Sequence, residues 1–73
     1  MNSIEAAKRA LERLIFSNPN VYGIGTIIHD NRKVISINVA NEKTKNELLE
    51  MFPGSKYLGH TILINISEQT KAQ

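Results

Sequence analysis

The chain has no cysteine and no tryptophan, and only two Phe, two Tyr and two Pro among its 73 residues. Without cysteine it can form neither a disulfide nor a thiolate metal centre. Two histidines are too few for a structural metal site, so neither a metal nor a cofactor is expected. Long apolar runs are also missing. The longest, such as Leu14-Ile15-Phe16, is far too short to cross a bilayer, which takes about 20 residues. The first residues mix both charges instead of presenting a basic head and an apolar core, so no signal peptide is expected. A cysteine-free chain fits a reducing cytoplasm. In that setting the sequon Asn65-Ile66-Ser67 reads as coincidence. Net charge is only +2, with a pI near 9.2, mildly basic and short of a dedicated nucleic-acid binder.

What is present is enough for one domain spanning 1–73, with a polar tail over 68–73 expected to fray. A domain this small buries only about 60% of its unfolded surface. Small folds therefore lean on a disulfide, a metal or a partner copy. With the first two excluded, a homo-oligomer, dimer or higher, is the expectation. Asn, Ile and Lys make up 24 of the 73 residues, a bias that suggests an AT-rich bacterial or phage genome.

Apolar spacing predicts a helix over 2–17, with Ile4, Ala7, Leu11, Leu14 and Ile15 in one stripe. Asn2 or Ser3 can cap it, with Glu5 completing a capping box. Ser17-Asn18-Pro19-Asn20 is a turn, since proline disfavours helix at Asn18. A strand follows at about 21–29. Asp30-Asn31 turns the chain into a hairpin partner at 33–39. Asn41 caps a second helix over 42–52, which buries Leu48, Leu49, Phe52 and the stem of Lys45. Pro53-Gly54 ends it, 55–60 form a loop, and a last strand runs over 61–67. The fold class is α+β: an α-β-β-α-β two-layer sandwich with both helices on one face of a three-stranded sheet. The last strand returns through a helix and so runs parallel to the second. Val21–Ile28 is apolar on both sides, as buried strands are, which favours the strand order 2-1-3.

Alternation puts Tyr22, Ile24, Thr26 and Ile28 on the helix side with Ile35, Ile37, Val39, Ile62, Ile64 and Ile66. The other side collects Val21, Gly23, Gly25, Ile27, His29, Val34, Ser36, Asn38, Thr61, Leu63 and Asn65, with no element left to cover it. Glycine weakens a strand and often marks close approach by another backbone or a ligand. Gly23, Gly25, Ile27, Val34, Ser36, Asn38 and Leu63 are therefore the expected oligomer interface or ligand floor. The bland alternative is a bulge or a strong twist.

Catalytic motifs are wanting. Gly23-x-Gly25 lacks the third glycine and the following helix of a dinucleotide fingerprint. Gly54 to Thr61 resembles a phosphate loop only in its glycine spacing: His60 stands where lysine is required, and a strand follows where a helix N-terminus must bind phosphate. Glu47 and Glu50 lie on a solvated helix face, and His29-Asp30 sits at a hairpin tip without a nucleophile. No convergent nucleophile, base or metal set is present, so the chain is not expected to be an enzyme. The candidate contacts for a small anionic ligand are Arg32, Lys33, Lys56, Tyr57 and His60. The basic residues are dispersed, and the bare sheet side lacks the stacking aromatics of single-strand readers.

The α-β-β-α-β order resembles the BON domain, a small bacterial module associated with lipid or envelope surfaces. Gly59-His60-Thr61-Ile62-Leu63-Ile64 matches that family's glycine and hydrophobic strand, whereas the glycine of its second strand is absent from Lys33–Val39. Asn20-Val21-x-Gly23-Ile24-Gly25, with Gly59-x-x-Ile62-x-Ile64, also looks like a small α/β segment that accompanies some bacterial peptidase-like proteins. These resemblances imply a topology and no site, and the missing export signal argues against an envelope role. The expected function is a cytoplasmic, non-enzymatic binding module, off the membrane. It would self-associate through its exposed sheet face and bind a partner protein or a small anionic ligand, such as a nucleotide, at the subunit boundary. The alternative is a nucleic-acid-binding accessory protein using the basic first helix and the hairpin tip.

Overall fold

A computed structural model describes residues 3–67 of the chain. Helix α1 covers Ile4–Ile15, strand β1 Val21–His29, strand β2 Arg32–Val39 and helix α2 Glu42–Met51; a 3-10 turn at Pro53–Ser55 leads into the short strand β3, Lys56–Tyr57, and strand β4, His60–Ile66. The sheet is mixed and four-stranded, in the order β1-β2-β4-β3. The expected tail 68–73 lies outside the described residues, as does Asn2.

Local chemistry sets the helix starts. The Ser3 side chain accepts from the Ala6 N–H at 3.1 Å and starts α1. Glu5, expected in a capping box, instead meets Lys33 at 3.3 Å. Asn41 caps α2 with one oxygen that accepts from both the Thr44 N–H, 2.9 Å, and the Thr44 hydroxyl, 2.8 Å. That leaves the fully buried Thr44 satisfied inside an otherwise apolar layer. Between α1 and β1, the Asn18 side chain accepts from the Asn20 N–H, and the Asn18 carbonyl accepts from Val21.

Ala7, Leu11 and Ile15 of α1 and Leu48 of α2 pack with Phe52 onto Val21, Ile35, Ile37, Val39, Ile62 and Ile64. Both helices therefore share one side of the sheet. Each large aliphatic side chain fully buried there contributes about 1.5–3 kcal/mol of transfer free energy. Leu14 departs from the expected stripe and is half exposed. Leu14 lies about 100° round the helix from Ile15, and it is Ile15 that takes the inward position.

The strand order corrects the expected 2-1-3. The central strand is β2, pairing antiparallel with β1 and parallel with β4. Its run Val34-Ile35-Ser36-Ile37 is buried on both sides, because neighbours flank it left and right. β1 is apolar on both sides yet lies at the edge. The expected loop 55–60 contains β3, which pairs antiparallel with β4 through Lys56↔Thr61 and Tyr57↔His60; the sheet thus has four strands, not three. The turn that makes the added strand is Leu58-Gly59, with φ of 50° and 83°, and it resembles the expected turn at Asp30-Asn31, with φ of 54° and 63°. Such paired positive φ angles match the twist of a hairpin.

The β1–β2 register also shifts between Val21 and Gly23. Tyr22 is the extra residue of this bulge. A bulge re-aims the side chains beside it. Val21, expected on the bare side, pairs with Val39 and is buried in the core, whereas Tyr22, expected inward, is 44% exposed. Ile28 and Ile66, on the helix side at opposite ends of the sheet, reach past the helices and are also exposed.

Candidate functional site

The side of the sheet opposite the helices holds the candidate site. Pairings Gly23↔Asn38, Gly25↔Ser36, Ile27↔Val34 and His29↔Arg32 put these eight residues on one side. Ser36↔Leu63 and Asn38↔Asn65 carry the same side across to β4, and Thr61↔Lys56 carries it on to β3. Every residue expected in the interface or ligand floor is here: Gly23, Gly25, Ile27, Val34, Ser36, Asn38 and Leu63. No helix or loop among the described residues lies over them.

Three properties define this surface. Its middle is apolar: Ile27 is 40% exposed, while Val34, beneath it and outside the helix-side core, is only 4% exposed. Its polar groups partly satisfy one another, with the Asn65 amide donating to the Ser36 hydroxyl at 3.2 Å. Its β1 margin is bare. A Cβ at Gly23 or Gly25 would meet no other atom within 4 Å, and neither residue has a positive φ. The fold itself thus demands glycine at neither position, although glycine there weakens the strand by about 0.5–1 kcal/mol.

The hairpin end of this side is polar and basic. A shallow hollow of about 380 Å³ is lined by His29, Asp30, Arg32, Val34 and Thr61. Lys56 lies on the same side through its pairing with Thr61. The five candidate anion contacts do not converge. Arg32 and Lys56 occupy the bare side, but Lys33, Tyr57 and His60 belong to the helix side. Lys33 is paired there with Glu5, and the Tyr57 ring packs edge-on against Phe52 with centroids 5.5 Å apart. Alternation separates Arg32 from Lys33 and Lys56 from Tyr57, since adjacent strand residues point opposite ways. His29 and Thr61 line the hollow but were not among the expected contacts. The expected hairpin alone sets His29 beside Arg32, whereas setting Thr61 beside Val34 requires β4 to lie next to β2.

A second surface lies on the basic first helix, the one expected to serve the nucleic-acid alternative. The outer face of α1 carries a hollow of about 490 Å³ lined by Ala6, Arg9, Ala10, Arg13 and Leu14. Among the described residues, Lys8 pairs with Glu12 at 3.8 Å, and His29 approaches Asp30 at 3.6 Å at the hairpin tip. No group of three or more His, Cys, Asp or Glu side chains among the described residues could hold a metal ion. No helix among them is long and apolar enough to cross a membrane.

Compared with known proteins, the chain matches no family model, no curated protein and no solved structure.

Proposed function

We propose that this chain is a small non-enzymatic binding module of the cytoplasm that self-associates through its bare sheet face and binds a partner protein or a small anionic ligand, such as a nucleotide, at the subunit boundary. The observation that carries the reading is the uncovered side itself: Gly23, Gly25, Ile27, Val34, Ser36, Asn38 and Leu63 lie together opposite both helices. A surface that keeps two unneeded glycines in a strand accepts a stability cost that a closely packed partner would offset. The basic end supports the anionic ligand. Arg32 and Lys56 flank a hollow whose apolar floor is Val34 and whose hydroxyl is Thr61, a combination suited to a phosphate or carboxylate. The absence of cysteine supports the cytoplasmic setting.

The alternative, nucleic-acid binding by α1 and the hairpin tip, draws on Arg9 and Arg13, which line the α1 hollow. Glu12 and Glu5, however, sit against Lys8 and Lys33 on those same elements, which reduces the net positive field.

Sedimentation equilibrium tests the reading. The native chain is expected to exceed the monomer mass. Leu63→Lys is expected to lower the assembled mass while the helical circular dichroism persists. A native chain that stays monomeric refutes self-association. Calorimetric titration with inorganic phosphate tests the basic end, and Arg32→Ala is expected to abolish the heat of binding. Retention of tight, steeply salt-dependent binding to random-sequence DNA would favour the alternative instead.

A further inference from the structure

The hollow at the hairpin end is half a site. His29, Asp30, Arg32, Val34 and Thr61 line about 380 Å³ on the uncovered side of the sheet, and Lys56 stands beside Thr61. Its chemistry suits an anion: a guanidinium that can hold two oxygens at once, an ammonium and a hydroxyl. Its shape does not. Small-molecule sites bury about 70–90% of their ligand, and this hollow has a floor but no roof among the described residues. The Asp30 carboxylate at its rim is 88% exposed and lies 3.6 Å from His29.

The sheet side that holds the hollow is lopsided along its strands. Toward the hairpin lie the bulky and charged residues Ile27, Val34, Arg32 and Lys56. Toward the other end lie Gly23, Asn38 and Asn65, with no charge among them, and Gly25, Ser36 and Leu63 lie between. Space above Gly23 and Gly25 is empty to 4 Å from where a Cβ would stand, so that end is low. Asn38 is exposed, and no described residue hydrogen-bonds its amide. Two copies meeting through this side about a two-fold axis can align like ends or opposite ends. Like ends would gather Arg32 and Lys56 of both copies and set bulk on bulk, and like charges juxtaposed across an interface oppose association. Opposite ends set each bulky, charged end over the low, uncharged end of the other copy. The preference holds across neighbouring registers, because the charge is confined to one end.

We infer that the anion site is shared between two copies: Arg32, Lys56 and Thr61 of one hold a small oxyanion, and the partner's Asn38 closes over it and donates a side-chain N–H. This sharing rests on the proposed contact through the bare face and assigns the residues that each copy supplies to the boundary. The two-fold axis makes the site twice, once at each end of the dimer. Sheets packed face to face stand about 10 Å apart, and the glycine end, having no side chains of its own on β1, leaves a phosphate or carboxylate room between them.

Complementation tests the sharing. Full-length Arg32→Ala and Asn38→Asp are each expected to lose the heat of inorganic phosphate binding in calorimetric titration, with the native sedimentation mass and circular dichroism retained. Unfolded together in urea and refolded as an equimolar mixture, the two form mixed dimers. In these the Asn38→Asp chain supplies an intact Arg32 and the Arg32→Ala chain an intact Asn38. Random pairing then restores about a quarter of the native binding sites, since a two-fold dimer holds two. A mixture as inert as its parts overturns the sharing, and so does native phosphate binding by Asn38→Asp. Cysteines read the alignment without a ligand, since the native chain has none. Across sheets about 10 Å apart, a bis-maleimide of similar span is expected to join Arg32→Cys to Asn38→Cys in a mixture and neither variant to itself. Self-joining of Arg32→Cys sets like ends together and overturns the alignment. A native chain that sediments as a monomer removes the face contact itself, and the shared site with it.

Discussion

Gly25→Thr separates what the fold needs from what the surface needs. Gly25 sits in β1 opposite Ser36, without a positive φ, and an added Cβ would touch nothing within 4 Å. In the isolated chain the substitution removes unfolded-state freedom worth about 0.5–1 kcal/mol and adds a β-branched residue, on a strand-propensity scale spanning about 1 kcal/mol. The added Cβ meets no steric cost, so the folded monomer should be stabilised by about 1 kcal/mol. On the bare face the same side chain rises where a partner must approach closely, so association should weaken. Urea unfolding at low concentration, with unchanged m, reads the first effect. Sedimentation equilibrium at high concentration reads the second. A destabilised monomer would mean that Gly25 serves the fold after all. Stabilisation with undiminished assembly would mean that the glycine margin is no part of the interface.

Three further substitutions test the packing beneath the site. Asn41→Ala removes a cap, about 1 kcal/mol, and leaves the buried Thr44 hydroxyl without its partner, about 1–3 kcal/mol more; a double-mutant cycle with Thr44→Val in urea should recover much of that second part, and additivity would contradict the shared oxygen. Leu58 holds φ of 50° in the β3–β4 turn, a strain of roughly 1 kcal/mol for a residue with a side chain, so Leu58→Asn should raise the melting temperature; a fall would mean that the half-exposed leucine packs more than it strains. Ile37→Ala empties a fully buried position between both helices and the sheet and should cost about 2–5 kcal/mol in chemical unfolding, with a loss under 1 kcal/mol contradicting the single-core description.

The elements themselves were legible because their signals are local. Ser3 and Asn41 cap, Asp30-Asn31 turns, and Ile35, Ile37, Ile62 and Ile64 alternate toward the helices. The strand order was not, because apolarity on both sides has two physical origins. In β2 it reflects neighbours on either flank, which bury even Ser36. In β1 it reflects a margin that this chain leaves open. The β3 hairpin was hidden because Leu58 occupies a left-handed position that usually takes glycine or asparagine. A bulge was the alternative reading of Gly23 and Gly25, and one does adjoin Gly23; alternation was nevertheless carried straight through it, so Val21 and Tyr22 exchanged sides. The bare face was legible despite the wrong strand order, since alternation within a strand does not depend on which strands are neighbours. The anion contacts were not, because they were grouped by nearness in sequence, and strand neighbours such as Arg32 and Lys33 point opposite ways.

Sedimentation equilibrium of the native full-length chain, compared with Leu63→Lys across a wide concentration range, tests the central claim most directly. A one-sided sheet that seeks a copy of itself predicts a native mass above the monomer and a lower mass for Leu63→Lys, with both chains equally helical. Two monomers of equal mass at every concentration would contradict it.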